Sequence, residues 1–163
     1  MRYWRSLTGL DDIFALFILI NDMHTFFKKT LKFILILVLL GSFYSAFLLS
    51  FVWWHCYTSG LQHGKNGPLD AYRHTLASAV LAYSISPKVV YLASTIMENK
   101  NQPANLMDKH NNKIGAQIGA HSSSLKAINI AVTAKIAHGC VNAKSTTQTT
   151  WLPQQYWRER LFW

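Results

Sequence analysis

The stretch LMDKHNNKIGAQIGA (106–120) decides how the second half of this chain folds. Helical spacing places Asp108, Asn112, Gly115 and Gly119 on one stripe of a helix. Two glycines four residues apart, each followed by alanine, remove side-chain bulk from that stripe, so a second helix can approach closely. The sequence therefore predicts a helix that packs tightly against a neighbour through its glycines.

The segment GPLDAYRHTLASA (67–79) is the predicted neighbour. Asp70 and His74 are four residues apart and share a helix face. A carboxylate and an imidazole on a face that is otherwise small and apolar need polar partners, because unpaired buried polar groups are costly. Docking the two helices would bring together the polar side chains of both: Asp70, His74, Asp108 and Asn112, with His110 on a neighbouring stripe.

The rest of the second half also shows helical periodicity. Apolar residues recur at helical spacing in four segments, from Leu69 to Tyr83, Pro87 to about Met97, Leu106 to about His121, and Leu125 to Ile136. Residues 99–105 and Ser122–Ser124 read as breaks, and no strand alternation is found. We predict a mainly α fold, in which a helical domain over 69–140 forms a small three- to four-helix bundle and 141–163 forms an aromatic C-terminal tail.

An apolar segment precedes this domain. Residues 33–54, FILILVLLGSFYSAFLLSFVWW, contain no charge. At ~1.5 Å per residue the run covers the ~30 Å hydrocarbon core of a bilayer. It is longer than the apolar part of a signal peptide, and the bulky residues after it offer no cleavage site. The sequence therefore predicts an uncleaved signal-anchor helix at 33–54, followed by a glycine-rich loop at 55–68.

Basic residues set the expected topology. Lys28, Lys29 and Lys32 precede the apolar run, which places the N-terminus in the cytoplasm and residues 55–163 in the periplasm of a bacterial inner membrane. Residues 1–32 form a cytoplasmic or interfacial segment. Its apolar stretch at 13–20 is too short to span, and whether it enters the membrane stays open. Cys56 and Cys140 would both lie outside the cytoplasm, where they could form a disulfide or remain separate thiols.

The composition limits the classes of molecule that this protein is expected to bind. The chain has 163 residues, a net charge of +9 and only 14% charged residues, against about 25% in soluble domains. Its basic residues are scattered and no stacking motif accompanies them, so nucleic acid is not expected. The predicted partners are membrane lipid and other envelope proteins.

Three interpretations of the polar cluster stay open. His74 and an Asp could form a general acid/base pair, giving the candidate catalytic set Asp70, His74, Asp108, His110 and Asn112. A divalent metal such as zinc could instead be bound by Asp70, His74, Asp108 and His110. Finally, the same groups could satisfy one another in a structural network with Arg73. No phosphate-binding loop, dinucleotide-binding glycine pattern or CxxC pair indicates another cofactor.

The two helical segments carry a resemblance. The pairing of D-A-Y-R-H-x-x-x-A with a later M-D-x-H-N-N-x-x-G resembles a small uncharacterised bacterial helical domain found in secreted or membrane-anchored proteins. The matching positions are Asp70, Ala71, Arg73 and His74 in the first element, and Met107, Asp108, His110, Asn111, Asn112 and Gly115 in the second. The resemblance implies a bacterial origin and one shared site, and it does not choose between an enzyme and a binding module.

The sequence leaves three functions to compare. The first is a single-pass inner-membrane protein whose periplasmic helical domain is an accessory or structural component of a cell-envelope machine, such as a secretion or conjugation system. The second is a membrane-tethered hydrolase that acts on lipid or cell wall through the Asp/His site. The third, a membrane-damaging toxin, depends only on the anchor and the basic charge. Whether the chain is an enzyme is left open at this stage.

Overall fold

A computed structural model describes residues 9–142 and 144–159. Within these ranges the protein has five α-helices and no β-strand. The helices are α1 (Gly9–Thr58), α2 (Pro68–Ser84), α3 (Pro87–Met97), α4 (Pro103–His121) and α5 (Leu125–Ala137), followed by short 3-10 turns at Thr146–Gln148 and Gln154–Tyr156. The mainly α prediction is confirmed. The first eight residues and the last four, which include the end of the predicted aromatic tail, lie outside the described residues.

Prolines and serines set the beginnings of the short helices. A proline occupies the first turn of α2, α3 and α4, where its missing N–H breaks no helical hydrogen bond. Ser86 caps α3 and Ser124 caps α5, each accepting a backbone N–H at 3.1 Å. Because Pro103 can begin a helix, α4 starts three residues earlier than predicted and shortens the predicted 99–105 loop.

Helix α1 is continuous where the sequence predicts separate segments. The chain divides into two compact units, Met1–Ser45 and Ala46–Trp163, so α1 belongs to both. In the first unit, the described side chains from Leu16 onward are mostly exposed and largely apolar. Over Leu16–Thr58, α1 is long and apolar enough to cross a membrane.

The last turns of α1 belong to the core of the second unit. Val52 and Cys56 are buried there, and Leu48 and Phe51 pack against the same core. Helix α1 continues to Thr58, past the predicted boundary between residues 54 and 55, and a small bundle gains apolar area from this helix face. Residues 33–47 alone would cover only about 22 Å at 1.5 Å per residue. A membrane span that leaves the core residues of the second unit outside the bilayer would therefore have to begin before Phe33.

Helix α2 lies at the centre of the second unit, and its tightest contact is with α4. A methyl group added at Gly119 would collide with the carbonyl oxygen of Ala79, and one at Gly115 would lie 2.8 Å from Ser78 Cβ. The predicted packing of these helices through Gly115 and Gly119 is confirmed. This close approach brings the polar residues of the two helices together.

The chain after α5 packs back onto the domain. Leu152 is buried and its N–H donates to the Asn66 carbonyl at 3.0 Å. The backbones of Lys65 and Arg158 exchange two hydrogen bonds, at 3.2 and 3.1 Å, which hold the tail against the loop before α2. Within the tail, Trp157 Nε1 donates to the Leu152 carbonyl at 2.6 Å. Cys56 is a buried free thiol and Cys140 an exposed one, so the two are not joined in this structure.

Candidate functional site

Three side chains from α2 and α4 meet around one imidazole. His74 Nε2 lies 3.6 Å from Asp70 Oδ1 and 3.5 Å from Asp108 Oδ1. The side chains of Asp70 and Asp108 are 6% and 15% exposed, while His74 is 25% exposed. The imidazole therefore reaches solvent while its Nε2 edge faces two largely buried carboxylates.

Asp70 is held firmly by its neighbours. The backbone N–H of Asn66 donates to Asp70 Oδ2 at 2.6 Å, and the buried Arg73 guanidinium forms an ion pair with Asp70 Oδ1. A carboxylate with both oxygens engaged and an arginine beside it is fixed in position and balanced in charge. Asp70 is therefore suited to orienting His74.

Asp108 differs sharply from Asp70. Its Oδ1 atom is buried and has no hydrogen-bond partner within the described part of the chain. Burial raises the pKa of Asp108 to about 7; the nearby His74 opposes that rise, and the negative charges of Asp70 and Glu98 add to it. A carboxyl group that titrates near neutrality can gain and lose a proton under physiological conditions.

Asn112 links helices rather than joining the imidazole. Ser78 Oγ donates to Asn112 Oδ1 at 2.8 Å, and Asn112 Nδ2 donates to Ser94 Oγ at 3.3 Å. These bonds tie α4 to both α2 and α3, one turn from Asp108. The neighbouring Asn111 is buried and donates to the Thr150 carbonyl at 2.9 Å. Asn112 thus holds three helices together beside the site, whereas Asn111 ties the segment after α5 to α4.

The structure does not bring His110 into the cluster, which corrects its place in the predicted catalytic and metal sets. Two residues along a helix turn the side chain about 200°, so His110 faces away from Asp108. It lies in a cleft beside Lys113 and Lys135, where burial, followed by the charge of Lys135, lowers its pKa.

Glu98, at the end of α3, is a neighbour that the sequence did not indicate. Its charge acts on Asp108, and Asn105 Nδ2 donates to Glu98 Oε2 at 2.7 Å. Glu98 ends a helix whose apolar periodicity carries no sign of a polar site. Only the fold places it near Asp108.

The remaining trio could hold a cation. Asp70, His74 and Asp108 each offer one ligand atom, and these atoms lie within 4.8 Å of one another. Carboxylate and imidazole ligands suit zinc and related divalent metals. Arg73 already occupies Asp70 Oδ1, however, and its positive charge disfavours a second cation at that oxygen. The arrangement is therefore better suited to holding and moving a proton.

The comparisons with known proteins identify a family for the region that contains the site. A family model described as a domain of unknown function (DUF6973) matches residues 56–144, which include α2 to α5 and all three members of the trio. Neither the curated proteins nor the solved structures contain a match to this chain. Because the family match covers more than half of the chain, the protein belongs to the DUF6973 family.

Proposed function

We propose that this protein is a membrane-anchored hydrolase in which His74 is the general base and Asp70 and Asp108 orient it. The observation that carries the proposal is the buried Asp108 Oδ1, which has no hydrogen bond among the described residues and lies 3.5 Å from His74 Nε2. An unsatisfied buried carboxylate is costly to a fold. Its retention beside an accessible imidazole is typical of a functional site.

The geometry supports a definite division of labour. Two carboxylates beside Nε2 favour the tautomer with its proton on Nε2, which leaves Nδ1 to accept a proton. Nδ1 would take a proton from an attacking water and return it to the leaving oxygen, so the net reaction is hydrolysis of one bond. Ionised Asp108 and Asp70 would stabilise the imidazolium formed between these steps.

The proposed membrane anchor favours a substrate located in the cell envelope. In this proposal α1 is a signal-anchor in a bacterial inner membrane, with its N-terminus in the cytoplasm and the helical domain in the periplasm. Lys28, Lys29 and Lys32 support this orientation, because basic residues favour the cytoplasmic side. The site would then lie between the membrane and the cell wall, which makes lipid esters and wall polymers the substrate classes to test.

The test compares variants of the full chain purified in detergent. Hydrolysis of phospholipid vesicles and of isolated cell wall would be measured for wild type, H74Q and D108N. Matched controls are H121Q, an exposed histidine at the end of α4, and D22N, an exposed aspartate of α1. We expect H74Q and D108N to lose at least about 100-fold in rate, in line with the loss of a general base or its partner. The controls should keep the wild-type rate and melting temperature. H74Q and D108N should remain folded at the assay temperature, which circular dichroism checks.

The same assay distinguishes the two chemistries of the site. If a chelator abolishes hydrolysis and zinc restores it, the trio binds a metal through Asp70, His74 and Asp108 rather than acting by proton transfer alone. If wild type hydrolyses neither substrate, or if H74Q retains full activity, the hydrolase proposal fails.

A second candidate, an accessory component of an envelope machine, is favoured by the surface of α3. Val89, Leu92 and Ile96 follow one another at helical spacing, and all three are exposed. The opposite face of α3, with Val90, is buried against the domain. A contiguous exposed apolar face marks an interaction surface. A photo-crosslinker at Leu92 that captures a partner, absent when the crosslinker is at Lys126, would support this candidate, whereas equal labelling at both positions would contradict it.

A further inference from the structure

A second polar cleft lies between α4, α5 and the first 3-10 turn. It has a volume of about 660 Å³. The polar side chains that line it and enter the argument are Lys109, His110, Lys113, Lys135 and Gln148, together with Thr147, whose backbone hydrogen-bonds to His110. Since His110 turns away from Asp108 on α4, this cleft is separate from the Asp70–His74–Asp108 trio.

The cleft concentrates positive charge without compensation. Of the described residues that line it, none is an aspartate or glutamate. Among the ion pairs seen in residues 9–142 and 144–159, none involves Lys109, Lys113 or Lys135. Burial lowers the pKa of His110 and the charges of Lys135 and Lys113 add to this effect, while its hydrogen bond to the Thr147 backbone opposes it. The ring is thus held by a backbone contact in a field that favours an anion.

We propose that this cleft binds a phosphate group, carried either by a lipid headgroup or by a free phosphate compound. Lysine ammonium groups bind phosphate as point charges, and imidazole N–H and amide N–H groups donate to its oxygens. Lysines from two helices and a glutamine from a third element converge on one space, which a scattered basic surface does not provide. A phosphate bound in this cleft would lie beside the His110 ring, so the ring signals of His110 can report its binding. The other charged groups that face the ring are Lys109 and Lys113 from its own helix and Lys135 from α5; the 3-10 turn contributes none.

The experiment follows the His110 ring in the full chain. Protein carrying ¹³C-labelled histidine, in uncharged detergent, would be titrated with inorganic pyrophosphate while the histidine ring signals are recorded, with H110Q assigning the signal. The same signal would be compared in nanodiscs of phosphatidylcholine alone and with added phosphatidylglycerol. The test variant is the double replacement K113Q/K135Q. The matched control is K126Q, which removes an exposed lysine of α5 that does not line the cleft.

We expect a saturable shift of the His110 signal, with at least a tenfold weaker affinity in K113Q/K135Q and no change in K126Q. A response to pyrophosphate alone identifies a soluble phosphate compound as the ligand. A response to phosphatidylglycerol alone identifies a lipid headgroup, and either result supports the proposal. If neither probe shifts the signal, or if K126Q weakens binding as much as K113Q/K135Q, the cleft is not a phosphate site. These readouts need no hydrolytic activity, so they stand independently of the proposed function.

Discussion

Replacing Asp108 by asparagine should change how stability depends on pH. Burial raises the pKa of this carboxyl from 3.8 to about 7 in the folded protein. Each tenfold change in an acid dissociation constant corresponds to about 1.4 kcal/mol, so ionised Asp108 costs the folded state up to about 4 kcal/mol above pH 7. Asparagine has nearly the same shape and cannot ionise, so the variant does not carry this cost.

The sign of this pH dependence follows from whether the folded or the unfolded protein binds the Asp108 proton. Between pH 4 and 7 the folded wild type binds the Asp108 proton while the unfolded chain has released it, so the free energy of unfolding falls as pH rises. D108N lacks this decline. The difference in unfolding free energy, D108N minus wild type, should therefore increase by up to about 4 kcal/mol from pH 4 to pH 8 and then level off.

The assay is chemical unfolding of the full chain in detergent, followed by tryptophan fluorescence at intervals across this pH range. D22N serves as the matched control, because it removes an exposed aspartate that lies outside the Asp70–His74–Asp108 trio. Because His74 is the nearest ionisable neighbour, comparing H74Q/D108N with H74Q repeats the measurement without it. A difference that stays constant with pH in both backgrounds would refute the assignment of a neutral-range titration to Asp108.

Three further outcomes follow from the same structure. G119A should lower the free energy of unfolding by about 1–3 kcal/mol, because the added methyl group overpacks the α2–α4 contact. The methyl group of the control G41A has no atom within 4 Å, so this variant should not be destabilised. Chemical unfolding measures both. N111A should cost about 1–3 kcal/mol by leaving the buried carbonyl of Thr150 unpaired, and limited proteolysis should then cut the chain after α5 sooner than in wild type. The hydrolytic rate should rise with pH through about 7 as Asp108 ionises, and a rate profile with no inflection between pH 6 and 8 would contradict that role.

The helical domain was predictable because its signals are local. The proline that begins α3, the serines before α5 and the apolar periodicity each act within a few residues. The close α2–α4 contact was also predictable. Gly115 and Gly119 leave one face of α4 open to a closely packed helix, and α2 is the neighbour whose facing residues are small. The pairing of His74 with Asp108 followed from that contact.

Other features of the fold and of the site depend on tertiary contacts that local sequence patterns do not reveal. Val52 was predicted to lie in the membrane helix and Cys56 in the loop that follows it, yet both contribute to the domain core because the bundle needs apolar area there. His110 sits in the same motif as Asp108, but helical rotation directs it to another cleft. The fold alone brings Glu98 close enough to influence Asp108.

The central claim is that Asp108 exchanges a proton near neutrality beside His74. The chain contains five aspartates, so the carboxyl ¹³C signals of full-length protein labelled at aspartate are few, and D108N assigns the one of interest. We expect that signal to titrate with a midpoint near 7, and to move to higher pH in H74Q because the imidazole opposes the rise in the pKa of Asp108. A midpoint near the ordinary value of 3.8, or one that H74Q leaves unchanged, would contradict the account.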